Sequence, residues 1–247
     1  AFRFLTPTAT DYYHRGLAYI ASERPDRAIK DYDAALAMDP DLDVVYNSRA
    51  IAHQSVGNGE QALSDYSTLL ERQPDRPEFY FNRGNAYYHQ SRYSLAEEDY
   101  SRALELSPAD ALFWNNRGLA RFEQSRYEEA IEDFNETIRL LPTYVDAYTN
   151  KGLAYRYGGD SKLAIEPYDK AVELAPKNAK VYFGRALAYI TLGQNDKGIA
   201  DIEEAMLLGV SRFAVQTSLI DLGGNPFDIQ EAVAAAAERV DQRRQEE

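Results

Sequence analysis

The chain repeats one pattern of residue types every 34 positions. An aromatic residue, a basic residue three positions later and a Gly or Ala directly after it recur six times without insertion or deletion. The aromatic residues that open the six segments are Tyr12, Tyr46, Tyr80, Trp114, Tyr148 and Tyr182. One unit of this length cannot bury an apolar face alone, so the period predicts identical units that stack on their neighbours.

Two helices are predicted in each unit. Starts at residues 9, 43, 77, 111, 145 and 179 give six units that end at Arg212, which leaves a tail of 35 residues. Ala28, Tyr32 and Ala35 follow helical spacing, and Pro40 ends that helix. Small residues at positions 8 and 20 of every unit allow the two helices to approach closely, and a large side chain at position 24 fills the remaining space.

This order of aromatic, Gly or Ala, Tyr, Ala, aromatic and Pro residues over 34 positions resembles the tetratricopeptide repeat family, along residues 9–212. The resemblance implies an all-α fold, a right-handed superhelical solenoid of antiparallel helix pairs. We therefore expect an N-terminal extension over 1–8, six repeats over 9–212, and a C-terminal helical cap with a charged tail over 213–247.

The tail departs from the repeat pattern. Gly209 and Val210 replace the usual junction with Pro, which indicates that the array ends there. We predict a short helix over Phe213–Leu222, a turn over Gly223–Pro226, and an Ala-rich helix over Asp228–Arg244 with Asp228 as its N-cap.

Charged residues recur at two positions of the repeat. Position 7 is Arg or Lys throughout, and position 23 is Asp in every repeat except the fifth, which has Lys151 and Pro167. This joint exception favours structural ion pairs over a basic binding stripe. The predicted pairs are Arg15 with Asp31, Arg49 with Asp65, Arg83 with Asp99, Arg117 with Asp133 and Arg185 with Asp201. Pro167 should also kink or weaken its helix.

Composition excludes several classes of function. The chain has no Cys and three His residues at different repeat positions, and it contains no phosphate loop, catalytic triad motif or metal-spaced carboxylate set. We expect no catalytic residue, metal or cofactor, and therefore no enzymatic activity. The net charge of −13 opposes binding to nucleic acid, and no apolar run is long enough for direct membrane insertion, so we expect a soluble protein.

The resemblance implies a ligand groove lined by positions 2, 5, 6, 9, 12 and 13 of the first helices. The candidate peptide-binding residues are Asn82, Asn85, Tyr88, His89, Asn116, Phe122, Asn150, Arg156 and Tyr157. Asn82, Asn116 and Asn150 occupy position 6 of three consecutive repeats, similar to the asparagine ladders of family members that hold peptides by the main chain. An amide offers both donors and an acceptor to a peptide backbone. The alternative interpretation is that these residues are only part of the helix surface.

A second ligand mode of the family does not fit. Its carboxylate clamp for chaperone C-terminal tails needs cations, and the matching positions are Phe81, Asp146 and Asn150. We thus expect a non-enzymatic interaction scaffold that binds a peptide segment of a partner protein. The alternative is a self-assembling protein, a homo-oligomer whose groove or ends receive another copy, for instance its apolar segment Phe2–Leu5. Whether the chain is an accessory domain of a larger protein stays open.

Overall fold

The computed structural model describes residues 6–221 and 226–246. The segment Phe2–Leu5 and the predicted turn residues Gly223, Gly224 and Asn225 lie outside the described residues. Within the described ranges the chain forms fourteen α-helices and no strand, which confirms the predicted all-α class. The chain divides into two compact units, residues 1–120 and residues 121–247.

Each repeat contains a first helix and a second helix. The first helices are Ala9–Ala21 (α1), Asp43–Ser55 (α3), Pro77–His89 (α5), Ala111–Glu123 (α7), Val145–Tyr157 (α9) and Ala179–Thr191 (α11). The second helices are Pro25–Met38 (α2), Gly59–Arg72 (α4), Tyr93–Leu106 (α6), Tyr127–Leu140 (α8), Ser161–Leu174 (α10) and Asn195–Leu207 (α12). Sequential helices pack against each other from α1 to α6 in the first unit and from α8 to α12 in the second.

The turn between the two helices has the same backbone conformation in all six repeats. Position 15 takes a positive φ whether the residue is Gly57, Gly159 or Gly193, or Glu23, Ser91 or Ser125. Such a residue ends a helix by reversing the chain, and glycine adopts the conformation without strain. The non-glycine residues show that the packing of the hairpin imposes this turn.

Small residues at position 8 allow close contact with the ring at position 24. A Cβ built on Gly84 would lie 2.7 Å from a ring carbon of Tyr100, and one on Gly152 would lie 2.9 Å from the ring of Tyr168. Both tyrosines are almost completely buried. The structure therefore confirms that the small residue makes room for the large ring.

The tail forms two helices, Arg212–Asp221 (α13) and Pro226–Glu246 (α14). The prediction that Asp228 is the N-cap of the last helix is wrong, because α14 begins at Pro226. Proline suits the first helical position, where its fixed φ is helical and no hydrogen bond is lost. Val233 and Val240 of α14 share a buried cluster with Ile202 of α12, so the tail packs on the sixth repeat.

Helix α10 continues through Pro167, which is buried. The proline removes one backbone donor that would bond to the carbonyl of residue 163. The helix nevertheless extends from Ser161 to Leu174, so Pro167 does not end it.

Candidate functional site

Four arginines at position 7 bind the Asp of their own repeat through two nitrogens. Arg83 Nε and Nη2 donate to Asp99 Oδ2 and Oδ1 at 2.8 and 2.7 Å. The pairs with the same geometry are Arg15 with Asp31, Arg49 with Asp65, and Arg185 with Asp201. Hydrogen bonding to Asp99 raises the pKa of Arg83 above its ordinary value. The four carboxylates are buried, so they depend on the guanidinium for their stability.

The remaining predicted ion pair, Arg117 with Asp133, has one residue in each compact unit and stays a prediction. Within the first unit, Arg117 Nη1 donates to Ser101 Oγ at 3.3 Å. Within the second unit, Arg121 Nη1 lies 3.0 Å from Asp133 Oδ2. In the fifth repeat, where position 23 is proline, the Lys151 ammonium lies 5.8 Å from the ring centroid of Tyr155, a cation–π distance.

The arginines also bind the repeat before their own, a contact that the sequence pattern alone did not predict. Arg49 Nη1 donates to Asp33 Oδ1 at 2.7 Å, and Arg185 Nη1 donates to Asp169 Oδ1 at 2.6 Å. Both acceptors are at position 25, which is polar in every repeat, and this recurrence was the available signal. Arg15 in the first repeat is 55% exposed, whereas Arg49 is 20% exposed.

The tail supplies the same contact for the sixth repeat. Glu203 at position 25 is buried, and Arg243 Nε of α14 lies 2.9 Å from its Oε1 atom. Arg243 Nη1 also lies 2.7 Å from Glu204. An arginine of the tail thus binds the position-25 carboxylate, as position-7 arginines do for Asp33 and Asp169.

We define the first-helix face as positions 2, 5, 6, 9, 12 and 13 of the first helices. In the first unit, amides on this face bind a buried hydroxyl. Tyr100 Oη donates to Asn85 Oδ1 at 2.7 Å, and Asn116 Nδ2 donates to the same oxygen at 2.9 Å. The Asn85 carbonyl therefore uses both of its lone pairs.

The other candidates of the first unit continue this polar face. Asn82 Nδ2 donates to Asn47 Oδ1 at 3.4 Å, so the amides of neighbouring repeats pair with each other. The half-buried Tyr88 packs edge to face against Tyr93 with a centroid distance of 5.3 Å. Its neighbour His89 is exposed. The structure thus brings Asn85 and Asn116 together and places Asn82 with Asn47, a residue outside the predicted set.

Large apolar side chains are exposed along the same face of the first unit. Among its described residues, five of the six exposed large apolar residues lie on first helices at positions 2, 9 or 12. These five are Leu17, Ile20, Val44, Ile51 and Leu112, and the sixth is Met38 of α2. Contiguous exposed apolar surface marks interaction sites in folded proteins.

In the second unit, three aromatic rings form a cluster. The ring centroid of Phe122 lies 5.5 Å from that of Tyr127 and 5.4 Å from that of Tyr157. Tyr157 is 55% exposed, and the Arg156 guanidinium lies 4.4 Å from its ring centroid. Asn150 lies on the same helix, α9, and is half-buried. The cluster gives this face an apolar surface with one cation beside it.

The buried Tyr168 lies next to this cation. Its hydroxyl has no hydrogen-bond partner, and neither has the buried Nε atom of Arg156. A Cβ on Gly184 would lie 2.9 Å from the Tyr168 hydroxyl, so the ring of Tyr168 occupies the space that this glycine leaves. Burial raises the pKa of Tyr168 to about 12, although the Arg156 charge acts in the opposite direction.

The part of the chain that the structure describes holds no group of three His, Asp or Glu side chains placed to bind a metal ion. In the same part, no helix has both the length and the apolar character needed to cross a bilayer.

The sequence matches tetratricopeptide repeat models over residues 9–42, 47–111, 90–145 and 179–208, and a further TPR repeat model over residues 152–193. These matches together extend over most of the chain. The comparison with curated protein sequences gave no significant match.

Solved structures share the fold. A crystal structure of MamA has 25% identity and a TM-score of 0.63, with 70% of this chain and 94% of MamA covered. A tetratricopeptide repeat protein from Parabacteroides merdae has 20% identity and a TM-score of 0.64, with 93% and 84% covered. YrrB, a TPR protein with an unusual peptide-binding site, has 21% identity and a TM-score of 0.60, with 70% and 89% covered. With its 34-residue period and its helix pairs, the chain belongs to the tetratricopeptide repeat family.

Proposed function

We propose that the chain is a non-enzymatic scaffold that binds a peptide segment of a partner protein on its first-helix face. The observation that carries this proposal is the distribution of exposed apolar residues in the first unit, which places five of the six described ones on that face. A surface helix that served only solvent contact would expose mainly polar residues there. YrrB, which has a similar fold, has a peptide-binding site, and this supports peptide binding by the present chain.

The amides would bind the main chain of the peptide. Asn82 and Asn116 in the first unit are held by hydrogen bonds to Asn47 and Asn85, which limits the side-chain entropy lost when a ligand binds. Each amide has more donor and acceptor capacity than these bonds use. Asn150 would contribute in the same way in the second unit. The apolar side chains and Tyr88, Phe122 and Tyr157 would select the side chains of the peptide.

Selection from a peptide library tests the proposal. An amidated 12-residue library would be presented to the wild type and to the Asn82→Ala, Asn116→Ala, Asn150→Ala triple variant. We expect the wild type to enrich a consensus, and the triple variant to bind the enriched peptides at least tenfold more weakly, because three hydrogen bonds of about 0.5–1.5 kcal/mol are lost.

The matched control carries three alanine substitutions on exposed second-helix residues, Gln61, Asn135 and Lys162. It should bind like the wild type. Equal binding by the asparagine variant and the wild type would overturn the role of the amides. No enrichment by the wild type, together with a mass that rises with concentration in light scattering, would favour self-assembly.

A further inference from the structure

The outer side of α1 differs from that of the later first helices. In the second repeat, Val45 at position 3 and Ala52 at position 10 of α3 share a buried cluster with Leu36 of α2, the preceding second helix. Among the described helices, α1 packs on α2 and contacts α3, so none of them takes this place, and Ala18 at position 10 is exposed. The position-10 alanines of the other five repeats are buried, namely Ala52, Ala86, Ala120, Ala154 and Ala188. We define the outer face of α1 as its positions 3, 7 and 10, which are Asp11, Arg15 and Ala18.

Arg15 on this face has one guanidinium nitrogen without an acceptor. Its Nε and Nη2 atoms donate to Asp31 at 2.7 and 2.6 Å, which holds the guanidinium in place. Its Nη1 atom makes no hydrogen bond to the described residues. The same atom donates to Asp33 in Arg49 and to Asp169 in Arg185. The Arg15 side chain is 55% exposed, so this nitrogen is accessible to a carboxylate of another molecule.

Asp11 on the same face has a carboxylate oxygen without a donor. Thr8 N and Thr8 Oγ1 both donate to Asp11 Oδ2 at 2.8 Å, whereas Oδ1 has no donor in the described part of the chain. Asp11 and Arg15, both exposed, line one surface depression of about 260 Å³ together with Pro7 and Tyr12. The other five repeats have an apolar residue at position 3, namely Val45, Phe79, Phe113, Ala147 and Val181. The outer face of α1 thus carries an acid and a base, four residues apart, each with a free bonding atom.

We propose that the outer face of α1 binds the same face of a second copy of the chain, with the two helices antiparallel. Asp11 Oδ1 of each copy then accepts a hydrogen bond from Arg15 Nη1 of the other copy, which gives two equivalent ion pairs about a two-fold axis. An acid and a base on one helix face complement themselves in this orientation, because a two-fold interface makes every contact twice. The inference goes beyond the proposed function, since positions 3, 7 and 10 are not part of the first-helix face.

Two other occupants of this face fit its charges less well. A helix that resembles α2 places apolar side chains such as Leu36 near position 3, where the charged Asp11 would lose its contact with water. The residues Ala1–Leu5, which precede the described part of the chain, have no acidic side chain and therefore provide no carboxylate for Arg15. A second copy supplies an acid for Arg15 and a base for Asp11 at once. It is the occupant that matches both charges.

The mass of the full chain as a function of concentration tests the proposal, measured by sedimentation equilibrium. A contact between two short helices is small, so we expect a dissociation constant on the order of 10⁻⁴ M. The chain should then have its monomer mass of 28.0 kDa at about 5 µM and be mostly dimeric near 1 mM.

Substitutions of Asp11 identify the face. Asp11→Lys places like charges opposite each other at both contacts and should weaken the association at least tenfold. Asp11→Asn keeps an acceptor for Thr8 and should weaken it about threefold. The control is Asp196→Lys, which makes the same charge change at an exposed residue in the first turn of α12 and should dimerise like the wild type. Arg15 is not substituted, because the buried Asp31 would lose its guanidinium.

Spin-label distances test the antiparallel orientation. The chain has no Cys, so His14→Cys and Ser22→Cys each provide a single labelling site, and both residues are exposed. Residue 13 is the midpoint between Asp11 and Arg15, so labels at residue 14 of the two copies lie close to the two-fold axis. Labels at residue 22 lie nine residues from that midpoint on opposite sides, about 27 Å apart along the helix at 1.5 Å per residue. We expect a clearly shorter distance for His14→Cys than for Ser22→Cys in electron–electron resonance at about 1 mM protein.

The outcomes decide the dimer independently of peptide binding. A mass that stays at the monomer value up to about 1 mM overturns the dimer and leaves the peptide-binding proposal standing. A dimer that Asp11→Lys retains overturns the assignment to the outer face of α1, and equal label distances at the two sites overturn the antiparallel pairing. A dimer that is lost in Asp11→Lys, retained in Asp196→Lys and closest at residue 14 supports the proposal.

Discussion

Tyr100 in the first unit and Tyr168 in the second unit occupy the same position of their repeats but have different surroundings. Both rings are buried against a position-8 glycine, Gly84 or Gly152. The Tyr100 hydroxyl donates to Asn85, which also accepts from Asn116, whereas the Tyr168 hydroxyl is buried without a hydrogen-bond partner. The repeat thus dictates the ring, and the residues of the first-helix face dictate what its polar end does.

This difference separates a buried hydroxyl that is hydrogen-bonded from one that is not. Around Tyr100, the polar atoms satisfy one another, so the hydrogen bonds contribute to the free energy of folding. Around Tyr168, the hydroxyl is buried without a hydrogen bond that offsets its removal from water. A buried hydroxyl of this kind costs stability.

The largest expected effect is on the ion pair that supports the Tyr100 region. Asp99→Ala leaves the Arg83 guanidinium without its carboxylate, and we expect the free energy of unfolding to fall by about 3 kcal/mol. Urea denaturation followed by circular dichroism measures the change. The double variant Arg83→Met, Asp99→Ala should be more stable than the single one. A single variant at least as stable as the double one would contradict the structural role of the pair.

The next variant converts the first region into the second. Asn85→Leu introduces the residue found at the same position in the fifth repeat and removes the acceptor of Tyr100. We expect a loss of about 1–2 kcal/mol, because a buried hydroxyl is left unsatisfied. The measurement is again urea denaturation. In the Tyr100→Phe background the same substitution should cost much less, and an equal cost in both backgrounds would show that the hydroxyl is not responsible.

The reverse conversion should have a smaller effect of opposite sign. Leu153→Asn gives the Tyr168 hydroxyl an acceptor, so we expect a gain of about 0.5–1 kcal/mol in thermal or urea unfolding. The gain should vanish when Tyr168 is Phe.

The smallest effect is expected for removal of the unpartnered hydroxyl. Tyr168→Phe should change the free energy of unfolding by no more than about 0.5 kcal/mol, since no hydrogen bond is lost. Tyr100→Phe is the matched comparison and should cost about 1 kcal/mol, because its hydroxyl donates to Asn85. Equal losses in the two variants would remove the distinction between the two regions.

The helices could be predicted from the sequence, because the apolar spacing, the small residues and the proline that ends a helix are all local to one repeat. The position-25 partners of Arg49 and Arg185 could not, because the contact depends on how the preceding repeat stacks. Pairing of Asn116 with Asn85 likewise depends on side-chain directions in two repeats at once. The tail lacks the 34-residue repeat that fixes the helix ends elsewhere, and the predicted start of α14 lies two residues too late.

The position-7 arginines bind side chains of the preceding repeat, so this contact has a fixed direction along the chain. Arg49 and Arg185 each bring a cation to an acceptor of the preceding repeat, and Glu203 offers an acceptor that Arg243 of the tail takes. Duplication or deletion of a whole 34-residue unit that carries both the Arg and the Asp leaves every ion pair complete. Duplication of a single helix would leave a buried charge without its counterion, at a cost of several kcal/mol. Inheritance in whole repeats is therefore the route by which an array of this kind can change its length and stay folded.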